Sequence, residues 1–247
     1  MMQAQGQLQG ECALAISKPV GFSGEKLGSV MGQVVDINEL AAIVSERGKA
    51  GRSLTALAGA PGSGKSTLAA KLAERLNTDE PGSAAVFAMD GFHFDDAVLE
   101  ARGDRPRKGA PHTFDVDGFV HMTGRLAAGG ADVAVPVFDR ELEIARAGGH
   151  VIGADVRHIL VEGNYLLLDE APWAGARRYF RTTAFLEVSL AVLTARLEKR
   201  WAWMPPSDKR AKLEENDLPN ARTVISRSLP AEFTIRSASA SEVARLT

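Results

Sequence analysis

Nine residues, Gly59 through Thr67 (GAPGSGKST), constrain this chain more than any other stretch. They fit the spacing G-x-x-x-x-G-K-[ST] at Gly59, Gly64, Lys65 and Ser66. Glycines permit a tight turn in which successive backbone N–H groups point inward, a geometry that rings the oxygens of a polyphosphate. The lysine then reaches the outer phosphates, and the serine hydroxyl is placed to ligate a Mg²⁺ that bridges two of them. At ordinary residue frequencies a chain of this length matches the four positions by accident only ~1% of the time. The flanks agree. Leu54 to Ala58 is a mostly apolar run of strand length, and Leu68, Leu72 and Leu76 follow at helical spacing, with Asn77 as the expected stop. Strand, loop and helix in that order put the loop amides at a helix N-terminus, which favours anions. The stretch therefore implies a nucleoside triphosphate held by Gly59, Gly62, Ser63, Gly64, Lys65, Ser66 and Thr67.

With 247 residues the chain is long enough for one large α/β domain with a sizeable core. Its net charge of −2 argues against a general nucleic-acid or anionic-membrane partner. The single cysteine, Cys12, forms no internal disulfide, which makes a reducing cytoplasm the expected compartment. No apolar run approaches membrane-spanning length, and the N-terminus lacks the pattern of a secretion signal. Residues 1–32, rich in Gln, Gly and Ser, read as a flexible extension with Met31 as a plausible start. Residues 33–247 then read as one domain. Its first helix is expected at 37–48, an amphipathic stretch that ends at Gly48.

Apolar runs recur at Ala84 to Met89, Asp132 to Phe138, His158 to Val161 and Thr182 to Val188, with helical patterns at Val116 to Ala128 and Leu190 to Trp203. Strands apolar on both faces and alternating with helices indicate an α/β fold with a parallel sheet covered by helices on both sides. Ligands bind such sheets at the carboxyl ends of the strands. Two carboxylates fall there. Asp90, in MDGFHFDD, suits a general base, a metal ligand, or a simple turn ahead of Gly91. Glu162, in VEGNYLLLD, suits a metal-associated carboxylate or a structural ion pair. His93, between Phe92 and Phe94, suits ligand contact or plain packing. Arg196 and Arg200, four apart and so on one helix face, suit phosphate contact or a solvated basic surface.

Taken in order, GAPGSGKST, MDGFHFDD, RKGAPHTFD (Arg107 to Asp115), VPVFDRE (Val135 to Glu141) and VEGNYLL resemble the phosphoribulokinase/uridine kinase family. The likeness covers about residues 37–236. It runs to a bacterial branch of sugar or nucleoside kinases that is also similar to the bacterial pantothenate kinases. The resemblance implies a P-loop NTPase three-layer sandwich with a small lid at about 201–214. It implies ATP and Mg²⁺ as cofactors and a small-molecule hydroxyl as acceptor. It casts Asp90 as the base, with Lys65 and Arg200 assisting the transfer and Arg196 joining Arg200 at the phosphates. Ser66, Asp90 and Glu162 would lie at the metal. His93, Arg107, Asp115, Arg140 and Glu162 would meet the acceptor, with Phe114 and Tyr165 as walls or else plain core, and the basic loop Arg102 to Lys108 either part of that pocket or merely solvated. Met204-Pro205-Pro206 departs from the family's more flexible lid.

The reading is thus an ATP-dependent kinase acting on a sugar, nucleoside or pantothenate-like metabolite. A nucleotide-hydrolysing switch that signals through a protein partner is the alternative, and a homodimer stays open. A chain begun at Met31 is expected to match the full chain in melting temperature and ATP affinity. A drop of several degrees would place residues 1–30 on the domain.

Overall fold

The computed structural model describes residues 32–236, so the expected extension lies outside the described residues up to Met31, as does the chain beyond Arg236. Six strands form one parallel sheet: β1 (Gln33–Val34), β2 (Ser53–Ala58), β3 (Ala84–Ala88), β6 (His158–Gly163), β7 (Phe180–Glu187) and β8 (Phe233–Arg236), in the order β1-β8-β7-β2-β6-β3. The two central strands, β2 and β6, are buried along their whole length. Their side chains divide by parity. Leu54, Ala56, Ile159 and Val161 enter one core, which Phe87, Phe119, Tyr165 and Trp173 fill, whereas Leu57 and Leu160 enter the other with Leu40, Val44, Leu72 and Leu76. Two cores on opposite faces make three layers, as expected for this fold class.

Local sequence explains the helices that cover the sheet. Helix α1 (Ile37–Gly48) starts at a capping box: Asp36 accepts from the amides of Asn38 and Glu39, and the Glu39 carboxylate accepts from the amide of Asp36. Helix α2 (Lys65–Asp79) runs two residues past its expected stop at Asn77. The Asn77 side chain instead ties the helix to β3, accepting from the Ala84 amide and donating to its carbonyl. The short α3 (Asp96–Arg102) and α4 (Val116–Ala128) follow β3, while α5 (Leu190–Arg200), α6 (Pro206–Ala211) and α7 (Leu218–Arg227) follow β7. None of the helices among the described residues is long and apolar enough to cross a membrane.

One expected strand belongs elsewhere. The run at 132–138 does not enter the parallel sheet; it forms β4 (Val133–Asp139), paired antiparallel with β5 (Ile144–Ile152) in a separate hairpin. Pro136 is the physical reason, since proline donates no ladder bond, and the register shifts between Val135 and Val137. Its partner was not foreseen because IARAGGHVI is largely exposed and interrupted by two glycines. Gly149 is required there, as a Cβ would stand 2.2 Å from Val137 Cγ2. The two-residue β1 was likewise too short to read. The helix expected through Trp203 stops at Arg200.

His158 opens β6 in a buried position, its Nδ1 without a partner among the described residues and its ring against Gly48. Burial, reinforced by the charge of Arg157, pushes its pKa down. The fold therefore favours the neutral ring. Its contribution is complete above the unfolded value of about 6.5 and is lost as pH falls below it. Melting temperature is expected to fall between pH 7.5 and 5.5, and His158→Gln to flatten that slope. An unchanged slope would remove His158 as a source of acid lability.

Candidate active site

Strand β2 delivers the chain to Gly59, and the loop turns through Gly62 (φ 80°) and Gly64 (φ 96°), backbone conformations that side chains resist. Gly64 caps α2 with no side chain, and the first turn of that helix carries no acid. Its leading N–H groups and the dipole are thus left to an anion. Arg196 on α5 donates to the carbonyls of Gly62 (3.4 Å) and Ser63 (2.9 Å), so it braces the loop's own backbone. Lys65 is buried yet lines the cleft in front of the loop.

The sheet register sets the two carboxylates beside this loop. Glu162, near the end of β6, stands level with Leu57 of β2 on one side and Ala88 of β3 on the other. Asp90 lies two residues past that point on β3, in a 3-10 turn over Met89–Phe92. The Ser66 hydroxyl donates to Glu162 Oε1 at 3.0 Å, whereas Oε2 is buried with no partner among the described residues. Arg140, just past β4, donates from Nη2 to Asp90 Oδ2 at 2.7 Å. The hairpin lies close upon the turn, since a Cβ on Gly91 would meet the Pro136 carbonyl at 2.5 Å.

These surroundings push the two acids apart. Burial works against the charge on Asp90, but His93, Lys65 and Arg140 outweigh it and hold the carboxyl below its ordinary range. For Glu162, burial prevails, Asp90 adds to it, and the pKa rises despite Lys65 and Ser66. An ionised Asp90 beside a reluctant Glu162 is the pattern of a base next to a group that needs a cation. A small dication fits this spot. It would give Oε2 a partner and take oxygen ligands from Ser66, Glu162 and, through water, Asp90. Among the described residues no group of three or more His, Cys, Asp or Glu side chains is arranged to hold a metal ion by itself, so such an ion would draw its remaining ligands from phosphate and water.

The opposite walls come from the loop after α3, the hairpin and the segment after α5, around a cavity of about 520 Å³. His93 lies between the rings of Phe114 (4.1 Å) and Phe138 (4.6 Å), its Nδ1 2.7 Å from the Asp90 carbonyl oxygen. Burial lowers its pKa against the pull of Asp90. Arg107, Arg140 and Arg200 also line the cavity. Arg200 lies 4.9 Å from the Trp201 ring centroid, and the Trp201 indole donates to Asp217 Oδ2 at 2.7 Å. A π-helical stretch, Lys212–Asp217, carries Lys212 to 3.6 Å from Asp217 Oδ1.

Three expected acceptor contacts are not brought to this cleft. Phe114 is buried against Tyr165 and Trp173, packs on His93 and lines an adjoining cavity, as Asp115 does. Tyr165 is fully buried and donates its hydroxyl to the Gly109 carbonyl at 2.6 Å. Asp115 caps α4, accepting from the Gly118 amide at 2.9 Å. In the other direction, Asn164 and Lys212 line the cavity without having been singled out. Asn164 stood two residues past Glu162 at the same strand end, which was signal enough. Lys212 had none, because a π-helical turn breaks the 3.6-residue period by which faces are read.

No family model matches the chain. A Schizosaccharomyces pombe protein named "Putative uridine kinase C227.14" is 39% identical over 166 residues, 60% of this chain and 66% of that protein. The chain thus spans just under two thirds of that relative. The "ATP-dependent kinase-like protein notR'" of Aspergillus versicolor is 31% identical over 156 residues, 58% of this chain and 91% of that one. Among solved structures, a "putative fructose transport system kinase" from Silicibacter sp. TM1040 is 42% identical, with a TM-score of 0.75 over 81% of this chain and 98% of that chain.

Removing the Arg140 guanidinium should leave burial less opposed at Asp90. In Arg140→Ala the Asp90 carboxyl, followed by carbon-13 NMR, is expected to titrate at higher pH than in the parent. An unmoved titration would mean that Lys65 and His93 alone hold the charge.

Proposed function

The chain belongs to the phosphoribulokinase/uridine kinase family of P-loop kinases, and on that premise we propose that it transfers the γ-phosphoryl group of ATP to a hydroxyl of a small metabolite. One observation carries the reading: Lys65 of the phosphate loop, the ionised Asp90 and the cationic walls of the cleft face a single cavity. The names of the relatives support sugar or nucleoside alcohols as acceptors, with pantothenate-like alcohols a third class. A switch that only hydrolyses its nucleotide needs no such walled space beyond the phosphate loop.

In this mechanism Arg140 keeps one oxygen of Asp90 and the other accepts the acceptor's hydroxyl proton. The hydroxyl oxygen attacks the γ-phosphorus, the bond from that phosphorus to the β,γ-bridging oxygen breaks, and ADP leaves with the electron pair. Loop amides and Lys65 hold the phosphates in line, and Arg200 faces the charge that spreads over the γ-oxygens. Ser66 and Glu162 would hold Mg²⁺, which when bound supplies neutralising charge to the phosphates. His93, fixed on the Asp90 carbonyl, keeps the turn and the base in place.

Asp90→Asn keeps shape and hydrogen bonding but removes charge and basicity. Phosphoryl transfer is expected to fall ~10²–10⁴-fold, the usual worth of a general base. ATP·Mg²⁺ binding, measured by calorimetry, should stay within about tenfold, since the loop, Lys65 and Ser66 are untouched. Transfer that survives nearly unchanged would sink the role of Asp90. Collapse of ATP binding would recast it as chiefly a metal ligand, with Glu162 the better candidate for the base.

A further inference from the structure

Most of the positive charge in the cleft is already matched. Arg140 pairs with Asp90, while Lys108 and Arg105 share Asp96. Lys65 stands at the phosphate loop, and Arg200, beside the Trp201 ring and with no ion-paired carboxylate among the described residues, is assigned to the γ-oxygens above. Arg107 remains. Among the described residues no carboxylate pairs with it, its Nη2 reaches the Asn220 amide oxygen at 3.3 Å, and its Nε is buried with no acceptor. A guanidinium keeps its charge in a protein and presents five N–H donors in a rigid fork, so an unmatched one in a cavity wall suits an oxyanion.

The group is also held in place. Asn220 donates to Asn216 Oδ1 at 3.0 Å, and Asn216 donates to the Lys108 carbonyl at 2.8 Å, both asparagines being almost fully buried. The oxygen that anchors Arg107 therefore cannot turn away. Arg107 and Asn220 line both the cleft and an adjoining cavity of about 520 Å³; Asp115, Asp117 and Glu170 also line the latter, so an anion is favoured on the cleft side of the guanidinium. Asp90 lines the same cleft.

We propose that the acceptor carries a carboxylate or phosphate group, and that Arg107 binds this anion through its fork while the hydroxyl to be phosphorylated turns toward Asp90. The inference rests on the kinase reading above and narrows its acceptor to acids. Arg107 is then a specificity residue, and it acts at the end of the acceptor away from the reacting oxygen.

Matched acceptors test it on the full chain with ATP and Mg²⁺: gluconate against glucose, pantothenate against pantothenol, fructose 6-phosphate against fructose. The charged member of at least one pair should be preferred by about tenfold or more in kcat/KM, and the arm that responds tells carboxylate from phosphate. Arg107→Gln should lower kcat/KM for that member by about 10- to 100-fold, mainly through KM, with Arg107→Lys recovering part of the loss. The charged-to-neutral ratio should collapse with it. Preference for the neutral members overturns the anion site and leaves the kinase standing. So does an Arg107→Gln variant that weakens both members alike. If no member is phosphorylated while ATP binds by calorimetry, the kinase reading fails and this inference with it.

Discussion

Placing an ammonium and two carboxylates side by side in a largely dry region is the constraint on which the rest of this molecule depends. Each such charge is costly to bury alone, and together they are tolerable only if the spacing is right. The parallel sheet provides that spacing. Because β6 lies between β2 and β3, the phosphate loop, Glu162 and Asp90 leave three adjacent strands at nearly the same level. The apolar side chains of both cores hold those strands in register, and a slip by one residue would turn Glu162 to the opposite face. The packing of the interior and the electrostatics of the cleft are therefore one problem with one solution.

The residual imbalance is as informative as the pairing. Asp90 is stabilised as an anion by three neighbours, whereas Glu162 shares only Ser66 and Lys65 with the loop and leaves one oxygen without a partner. A protein built only for stability would replace that glutamate by an apolar residue. Keeping it makes sense where a cation arrives with the nucleotide and completes the set.

What the sequence made legible follows from how local the cause is. The loop and both ends of α4 were readable because glycine spacing, capping and apolar period act within a few residues. Asp90 and Glu162 were readable because a strand's end is marked by its apolar run. The sheet's third expected member was misplaced because Pro136 lay inside a run that otherwise looked central. Phe114, Tyr165 and Asp115 are expected at the acceptor from their motif, and none of the three lines the cleft that holds Asp90. Whether an aromatic faces a cleft or the core, or a carboxylate caps a helix, is decided by packing between distant segments. The place of Lys212 in the cavity wall has the same root, since a π-helical turn arises from tertiary fit rather than from local preference.

The β4–β5 hairpin gives its ladder hydrogen bonds to itself and none to the parallel sheet, yet it carries Arg140 to Asp90 and Phe138 to His93. It is fastened by Val133, Val135 and Ile152, buried in the same core as Leu54 and Phe87, by a close contact at Gly91, by the Arg140–Asp90 ion pair and by the Lys108 hydrogen bond to the Glu143 carbonyl. The base of the hairpin is therefore part of the interior, and only its tip, exposed from Arg140 to Glu143, stands clear of the core. Changes confined to that tip would redraw one wall of the cleft while leaving the buried residues of β4 and β5 in place. One wall of the cleft is thus open to change in sequence, while the core beneath it is not.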